Sequence, residues 1–436
     1  MTADRFDSPG LTLLVRRPKQ EPVDWHTGLA SIEHHVPIGP DTAFNTGSVA
    51  KQITAHLVLL AARDNLIHLH QPAADLLPRL QLTDVTVADL ITHTSGLCDA
   101  ESLLSLAGLR DLDHYTAADL RTLAYRQRER AVPAGQFLYS NTNYLLLAEL
   151  LETVDHAALP DLARRRLFDQ LGMHATHFQA DPRQVVPGAA AAYQPTGSGW
   201  QYTQTPVALP GPGTLFTTSG DLDRWLGHLH QLWQHGNTPL PWEDVLGYRT
   251  ADHPPYLYGP GLYADPRPGH TTVFHYGHEH GFSAATHLTQ DGLRVVCLAN
   301  ATDLAADHVV AAVLRELDEH PDHDVGDLLP LAAARARRPP RAAEDGHDQQ
   351  DDGQLHRELG RFISDQVPGT LRLTRTGDAL HLWRRGTSDR LTPAGPTTWT
   401  GNGYTLTLTS DADDTEGFTL DLDRAPGLAY VRLPPS

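Results

Sequence analysis

The 436-residue sequence points to an α+β domain followed by a small antiparallel β-barrel or sandwich. Three observations lead there. Strand-like segments stand at both ends of the first 330 residues, with a long helix- and loop-rich stretch between them. Residues 331–353, "LAAARARRPPRAAEDGHDQQDDG", then set a basic, proline-containing run beside an acidic polar one. So little there can be buried that the segment reads as a linker. Beyond it, 354–436 is almost wholly short alternating strands with Gly, Asp and Asn at the turns. The expected organisation is a domain over 1–330, a linker over 331–353 and an all-β barrel or sandwich over 354–436. A chain of this length is too large for one ordinary core.

Residues 10–16 ("GLTLLVR") and 23–33 ("VDWHTGLASIE") are rich in β-formers and read as two strands around a turn. "SVAKQITAHLVLLAAR" (48–63) repeats apolar residues at helical spacing, and "DNL" is its exit. Further helices are expected over 83–93, 116–130 and 141–154. Strands return between about 255 and 300 as "TTVFHYG", "FSAATHLT" and "LRVVCLAN", the last two joined by "QDG", a hairpin signal. A helix over 303–318 closes the domain, and its sheet is expected to unite N-terminal and C-terminal strands. In the tail, "GTLRLTRTGDALHLWRR", "YTLTLTSD", "GFTLDLDR" and "GLAYVRL" supply the barrel strands.

The formal net charge is −19, which argues against a nucleic-acid or anionic-membrane partner, since either would need a basic face. Two cysteines, Cys98 and Cys297, make no disulfide framework and read as buried packing. The start, "MTADRFDSPGLTLLVRR", has no basic run followed by a long apolar one, and no stretch is long enough to span a membrane. A cytoplasmic protein is therefore the expectation. No cofactor is expected.

The chemistry begins with "FNTGSVAKQ", in which Ser48 opens a helix and Lys51 follows three residues on, on the same face. A helix N-terminus favours the negative charge that develops on an activated or acylated serine. A desolvated lysine beside it can give up its proton and act as base. In "FLYSNTNYLLL", Tyr139 and Asn141 form Y-x-N. A tyrosine held near an ammonium can persist as phenolate, and the asparagine amide can hold the lysine and a substrate carbonyl. The third element is "FHYGHEHGFS", with His275, Gly277, Gly281 and Phe282 as H-x-G-x-x-x-G-F on a strand and its exit turn. Such a strand edge can offer a backbone N–H that completes an oxyanion hole with the N–H of Ser48. Gly277 lets a substrate approach the backbone, and Gly281 and Phe282 are candidates for the cleft wall.

S-V-A-K, Y-S-N and H-Y-G, in that order, resemble the three motifs of the serine β-lactamase and penicillin-recognising enzyme family. The fit is best to its class C-like branch, with its DD-peptidases, D-aminopeptidases and esterases. "LITHTSGL", "PAGQFLYSNTNYLLLAELLE" and "GPGTLFTTSGDLDRW" look like that family's connecting loops, so the resemblance spans roughly 10–320. It implies a β-lactamase-like antiparallel sheet flanked by helices plus a helical subdomain. The tail is similar to the lipocalin-like barrel appended to some members.

Carried over residue by residue, the resemblance makes Ser48 the acylated nucleophile and Lys51 its partner in deprotonation. Tyr139 would be the base, and Asn141 the contact to substrate and Lys51. The backbone N–H groups of Ser48 and His278 would form the oxyanion hole. His275 stands where penicillin-directed members carry the lysine of K-T-G, a titratable contact in place of a permanent ammonium. This departure turns the expectation away from β-lactams. It favours an ester, amide or short peptide, including one with D-amino acids, cleaved through an acyl-enzyme. The alternative of the same class is an acyltransferase or peptide-cyclising thioesterase of natural-product biosynthesis, taking a small-molecule, peptide or carrier-bound acyl group. A non-catalytic sensor ranks below both, since a binder has no need of the nucleophile–base set. The oligomeric state is left open.

Plainer assignments stand beside these. His93 in "THTSG" reads as a loop-fixing residue and Ser95 as a turn residue without a G-x-S-x-G elbow. Trp200, Tyr202 and Trp225 suit either cleft or core. "DADDTEG" (411–417) lacks calcium-loop spacing and reads as a solvated hairpin. His275, His278 and His280 give H-x-x-H-x-H, but strand alternation splits them between faces, and no helix motif or cysteine pair completes a zinc site.

Overall fold

The apolar run Leu11–Arg16 is buried up to its last residue because it is covered on both sides. In the computed structural model it lies between Arg294–Ala299 and Val23–Thr27 in a seven-stranded antiparallel sheet. The sheet continues outward from Arg294–Ala299 through Phe282–Thr289, Thr272–Glu279, Tyr263–Asp265 and Leu257–Tyr258. N-terminal and C-terminal strands therefore share one sheet, as the sequence indicates. The structure describes residues 8–108, 114–203, 206–235, 256–265, 271–321, 323–336, 357–377, 379–385, 387–410 and 415–434.

Strand alternation divides the sheet's two faces. Leu11, Leu13 and Val15 share one with Ala285, Val295, Cys297 and Ala299, where they pack with Val309, Val310 and Val313 and with Leu329, Ala332 and Ala333. Those partners lie on the helices Ala306–Glu319 and Val325–Ala336. Across the sheet, Thr12 meets Ser219, and Thr286 accepts a hydrogen bond from Gln52, so the helices Ser219–His235 and Ala50–Arg63 cover the second face. Trp225, 1% exposed, donates its indole N–H to Gln52 Oε1 at 2.8 Å and belongs to this core.

The chain forms two compact units. The sheet unit comprises Met1–Gln71, Thr86–Thr92 and Tyr144–Ala342. The other gathers Pro72–Val85 and His93–Asn143 with Ala343–Ser436. This cuts across the expected split into 1–330 and 354–436, because segments distant in sequence share contacts. Within the second unit the helices Ala100–Leu106 and Ala117–Ala124 are started by the side chains of Asp99 and Thr116. Such a cap is worth about 1 kcal/mol. The tail is a closed eight-stranded barrel running from Arg357–Ile363 to Ala425–Arg432, with Phe362 paired to Arg432 and Ile363 to Val431 at the closure. Leu373, Leu382, Leu406, Leu420 and Leu428 are fully buried, as the filled interior of a small barrel requires.

Several boundaries differ from expectation. The strand expected over 23–33 breaks at Gly28, which takes φ +82°. The helix expected over 83–93 is only Val87–Ile91, begun by a Thr86–Asp89 capping box. Residues 331–336, assigned to a linker, instead finish the helix Val325–Ala336, because Ala332 and Ala333 are buried against the sheet. The remainder of that linker, and 411–414 of the acidic hairpin, lie outside the described residues. Among the described residues no helix is long and apolar enough to cross a membrane.

Candidate active site

Ser48 lies in the 3-10 turn Gly47–Val49, immediately before the helix Ala50–Arg63. The turn needs Gly47 at φ +49°, a conformation that side-chain-bearing residues rarely take. It places the partly exposed Ser48 one helical turn from Lys51, which is completely buried. Lys51 Nζ is 2.9 Å from Ser48 Oγ and 2.9 Å from the carbonyl oxygen of Pro212, and it sits 5.6 Å from the centre of the Tyr144 ring. A buried amine held by a carbonyl, an aromatic face and the serine hydroxyl is placed to exchange a proton with that hydroxyl.

The strand Thr272–Glu279 closes on this turn at backbone distance. A Cβ on Gly277 would lie 2.6 Å from Ser48 N and would also overlap Thr46 O. A Cβ on Gly47 would lie 2.8 Å from His278 O and 2.9 Å from His278 N. The two segments meet only because both positions lack side chains. The main chain of His278 is thereby brought to the serine turn, while its imidazole is exposed.

His275 is brought near Lys51, but as a buried group. It is 1% exposed; its Nδ1 lies 2.7 Å from the carbonyl oxygen of Tyr276, and its Nε2 lies 3.2 Å from Tyr258 Oη. The first contact makes Nδ1 the donor, leaving Nε2 to accept from the phenol. Burial first, and then the charge of Lys51, push its pKa down to about 3. The titratable contact expected from the sequence is therefore corrected: this imidazole is neutral at physiological pH because charging it would bury a second cation beside the first.

A stability prediction follows from that direction. The folded pKa is depressed, so the unfolded chain binds the extra proton between about pH 6.5 and about pH 3. The contribution of neutral His275 is complete above pH 6.5 and is lost on acidification, at up to about 1.4 kcal/mol per pH unit. Urea midpoints at pH 7 and pH 5 are expected to differ less in His275→Gln than in the parent chain. An equal difference in both would show that this ring does not couple protonation to folding.

The exit turn is packed rather than open. Gly281 takes φ +90°, and a Cβ there would come within 3.0 Å of Ala192 Cβ and 3.2 Å of Tyr193 N. Phe282 is buried, edge-on to Phe216 at 6.2 Å. Both were expected to line a cleft; the structure puts them in the support of the turn, where a small residue and an apolar ring fill space. His280 pairs with Glu279 at 3.5 Å. Among the described residues no group of three or more His, Cys, Asp or Glu side chains is arranged to hold a metal ion.

In the second unit, Tyr139 and Asn141 are held by a network of their own. His93, at φ +59° and fully buried, holds its ring 4.5 Å from that of Tyr139, tilted by 37°. Its Nδ1 accepts the Ser140 N–H at 3.2 Å and lies 2.9 Å from Asn143 Nδ2. Ser95 donates to Asn143 Oδ1 at 2.7 Å. These contacts give His93 and Ser95 the loop-fixing parts read from the sequence. Asn141 donates its main-chain N–H to Asp99 at 2.7 Å and its side-chain amide to Glu101 at 2.6 Å. Glu101 also accepts from Tyr115 Oη at 2.9 Å. The carboxylate orients the Asn141 amide, directing its carbonyl oxygen away from Glu101.

A family model described as Beta-lactamase matches residues 2–319. The chain belongs to the beta-lactamase family. Within that family it is 26% identical over 333 residues to an unguisins hydrolase of Aspergillus campestris, and 24% identical over 315 residues to a D-aminopeptidase of Gluconobacter oxydans. These matches cover 69% and 71% of this chain, which spans 60% of the length of each relative. The octameric penicillin-binding protein homologue from Pyrococcus abyssi superposes with a TM-score of 0.59 at 19% identity, over 98% of this chain and 96% of that one. At that identity the likeness is one of fold, and it extends through the barrel.

Sequence reasoning passed over the Pro212 carbonyl, Tyr258 and Glu101. Pro212 lies in a connector that carries the family resemblance, and its backbone part could have been sought there. The other two sit in stretches without a motif.

Proposed function

We propose that this beta-lactamase family member is a serine hydrolase that works through an acyl-enzyme on Ser48. Its substrate would be an ester, amide or short peptide, and the similarity to a D-aminopeptidase favours D-amino-acid-containing ones. The observation that carries this reading is the 2.9 Å contact of a fully buried Lys51 ammonium with Ser48 Oγ.

In the proposed cycle, Ser48 Oγ attacks the scissile carbonyl as its proton passes to the Tyr139 phenolate, with the Lys51 ammonium donating to Oγ and favouring the alkoxide that develops. The tetrahedral oxyanion takes hydrogen bonds from the main-chain N–H groups of Ser48 and His278. Collapse breaks the bond to the amine or alcohol, which leaves with the proton. Water, deprotonated by Tyr139, then attacks the ester and releases the acid and Ser48. Asn141 would orient the acyl group, and neutral His275 would pack beside Lys51 rather than touch substrate.

A second reading replaces water by an amine, making the chain an acyltransferase or peptide-cyclising thioesterase in natural-product biosynthesis. The similarity to a hydrolase of unguisins favours a peptide natural product as the acyl donor.

Intact-mass measurement across esters, D- and L-amino-acid amides, thioesters and penicillins tests both readings. An adduct that vanishes in Ser48→Ala is expected, and release by an added amine faster than by water would select the second. Labelling by a fluorophosphonate that persists in Ser48→Ala would move the nucleophile elsewhere.

A further inference from the structure

Arg424 lies in the turn between the barrel strands Gly417–Leu422 and Ala425–Arg432. Its guanidinium carbon is 4.8 Å from the centre of the Tyr139 ring. The turn is anchored where that contact requires. The carbonyl oxygen of Arg424 accepts the N–H of Asp99 at 2.9 Å. Asp99 in turn accepts the N–H of Asn141 at 2.7 Å and starts the helix Ala100–Leu106 by accepting the Ser102 N–H at 3.0 Å. One aspartate thus ties the barrel turn to the backbone of Y-x-N. A second tie runs from Arg384 Nη1 to the carbonyl oxygen of Ser105 at 3.1 Å.

We propose that Arg424 is a positioning residue for Tyr139: its guanidinium holds the phenol ring and favours the phenolate, which makes the barrel part of the catalytic unit. This rests on the reading of Tyr139 as the base. Arginine keeps its charge at every working pH. A cation over an aromatic face is attracted to the ring, and the attraction grows when the ring carries the negative charge of a phenolate. Among the other charged and titratable groups here, His93 accepts at Nδ1 from the Ser140 N–H, so that nitrogen carries no proton. Asp99 and Glu101 are hydrogen-bonded to Asn141, and Asp423 is exposed on the barrel turn. Arg424 is itself exposed, so solvent screening holds its expected effect to about one pH unit.

The test is the pH dependence of kcat/KM for the full-length chain on a substrate that acylates Ser48, in Arg424→Gln and Arg424→Lys. The glutamine variant is expected to move the acid limb upward by about one unit and to lower kcat/KM about tenfold below that limb. Lysine, which retains the charge, is expected to recover at least half of the shift. A limb that stays in place in Arg424→Gln, whether kcat/KM is unchanged, uniformly lowered or lowered through KM alone, overturns the proposal. Loss of folding in the glutamine variant with a wild-type limb in the lysine variant would also count against it, as a purely structural part. Tyr139→Phe and Ser48→Ala separate the two levels. If Tyr139→Phe retains activity, the base reading fails, and if Ser48→Ala does, the nucleophile reading fails; if both are inactive and the Arg424→Gln limb is unmoved, only this inference fails.

Discussion

Gly277→Ala is expected to slow acylation of Ser48 by about 100-fold or more and to lower stability by about 1–3 kcal/mol. The added methyl would lie 2.6 Å from Ser48 N and 3.0 Å from Gly47 C, and it would overlap Thr46 O as well. All three obstacles are backbone atoms, so no side chain can rotate away. The strand or the serine turn must retreat, and a shift near 1 Å is enough to misplace a nucleophile and an oxyanion donor. The time course of adduct formation by intact mass reads the first effect and a urea titration the second. Gly39→Ala, where a Cβ would meet nothing within 4 Å, is the matched control. Acylation within threefold of wild type in Gly277→Ala would mean that the close approach does not hold the serine in place.

Lys51→Met is expected to lower kcat/KM by about 10³-fold while leaving the chain folded. Methionine matches the lysine stem in length and removes the charge. The substitution deprives the Pro212 carbonyl of its donor, a loss of about 1–3 kcal/mol. It also removes a cation that is completely buried, and an apolar replacement for a buried charge is often neutral to folding. Stability and activity should therefore part company, with a urea midpoint lowered by no more than the unpaired Pro212 carbonyl costs beside an enzyme that no longer acylates. Lys51→Arg should fail too, because a planar guanidinium cannot take the place of a compact ammonium 2.9 Å from both Ser48 Oγ and Pro212 O. Less than a tenfold loss in the methionine variant would remove Lys51 from the chemistry.

The parts of the site that could be read in advance are those carried by local spacing. Ser48 and Lys51 are three residues apart on a helical segment, and the structure brings Nζ and Oγ together at 2.9 Å. His93 and Ser95 were readable as loop residues from the turn chemistry around them. Five strands of the sheet were legible because apolar runs and a Gln-Asp-Gly turn are also local signals, and Gly292 takes φ +99° in that turn; the short strands Leu257–Tyr258 and Tyr263–Asp265 were not named. His275, Gly281 and Phe282 were readable as a motif but not in their environment. Whether a histidine contacts solvent or is enclosed between Tyr258 and a helix depends on residues that do not adjoin it.

By itself, then, the sequence determined the α+β architecture with an all-β tail and the Ser48–Lys51 spacing, because each follows from periodicity within a few residues, while the order of the three motifs and the barrel came from the family resemblance. Tertiary structure alone decided the rest. It neutralised His275 by burial, made Gly277 and Gly47 obligatory by bringing two backbones into contact, and oriented Asn141 with Glu101. It also grouped 93–143 with the barrel and set Arg424 over Tyr139. Desolvation, close packing and through-space charge depend on distance in the folded chain, and no spacing along the sequence specifies that distance.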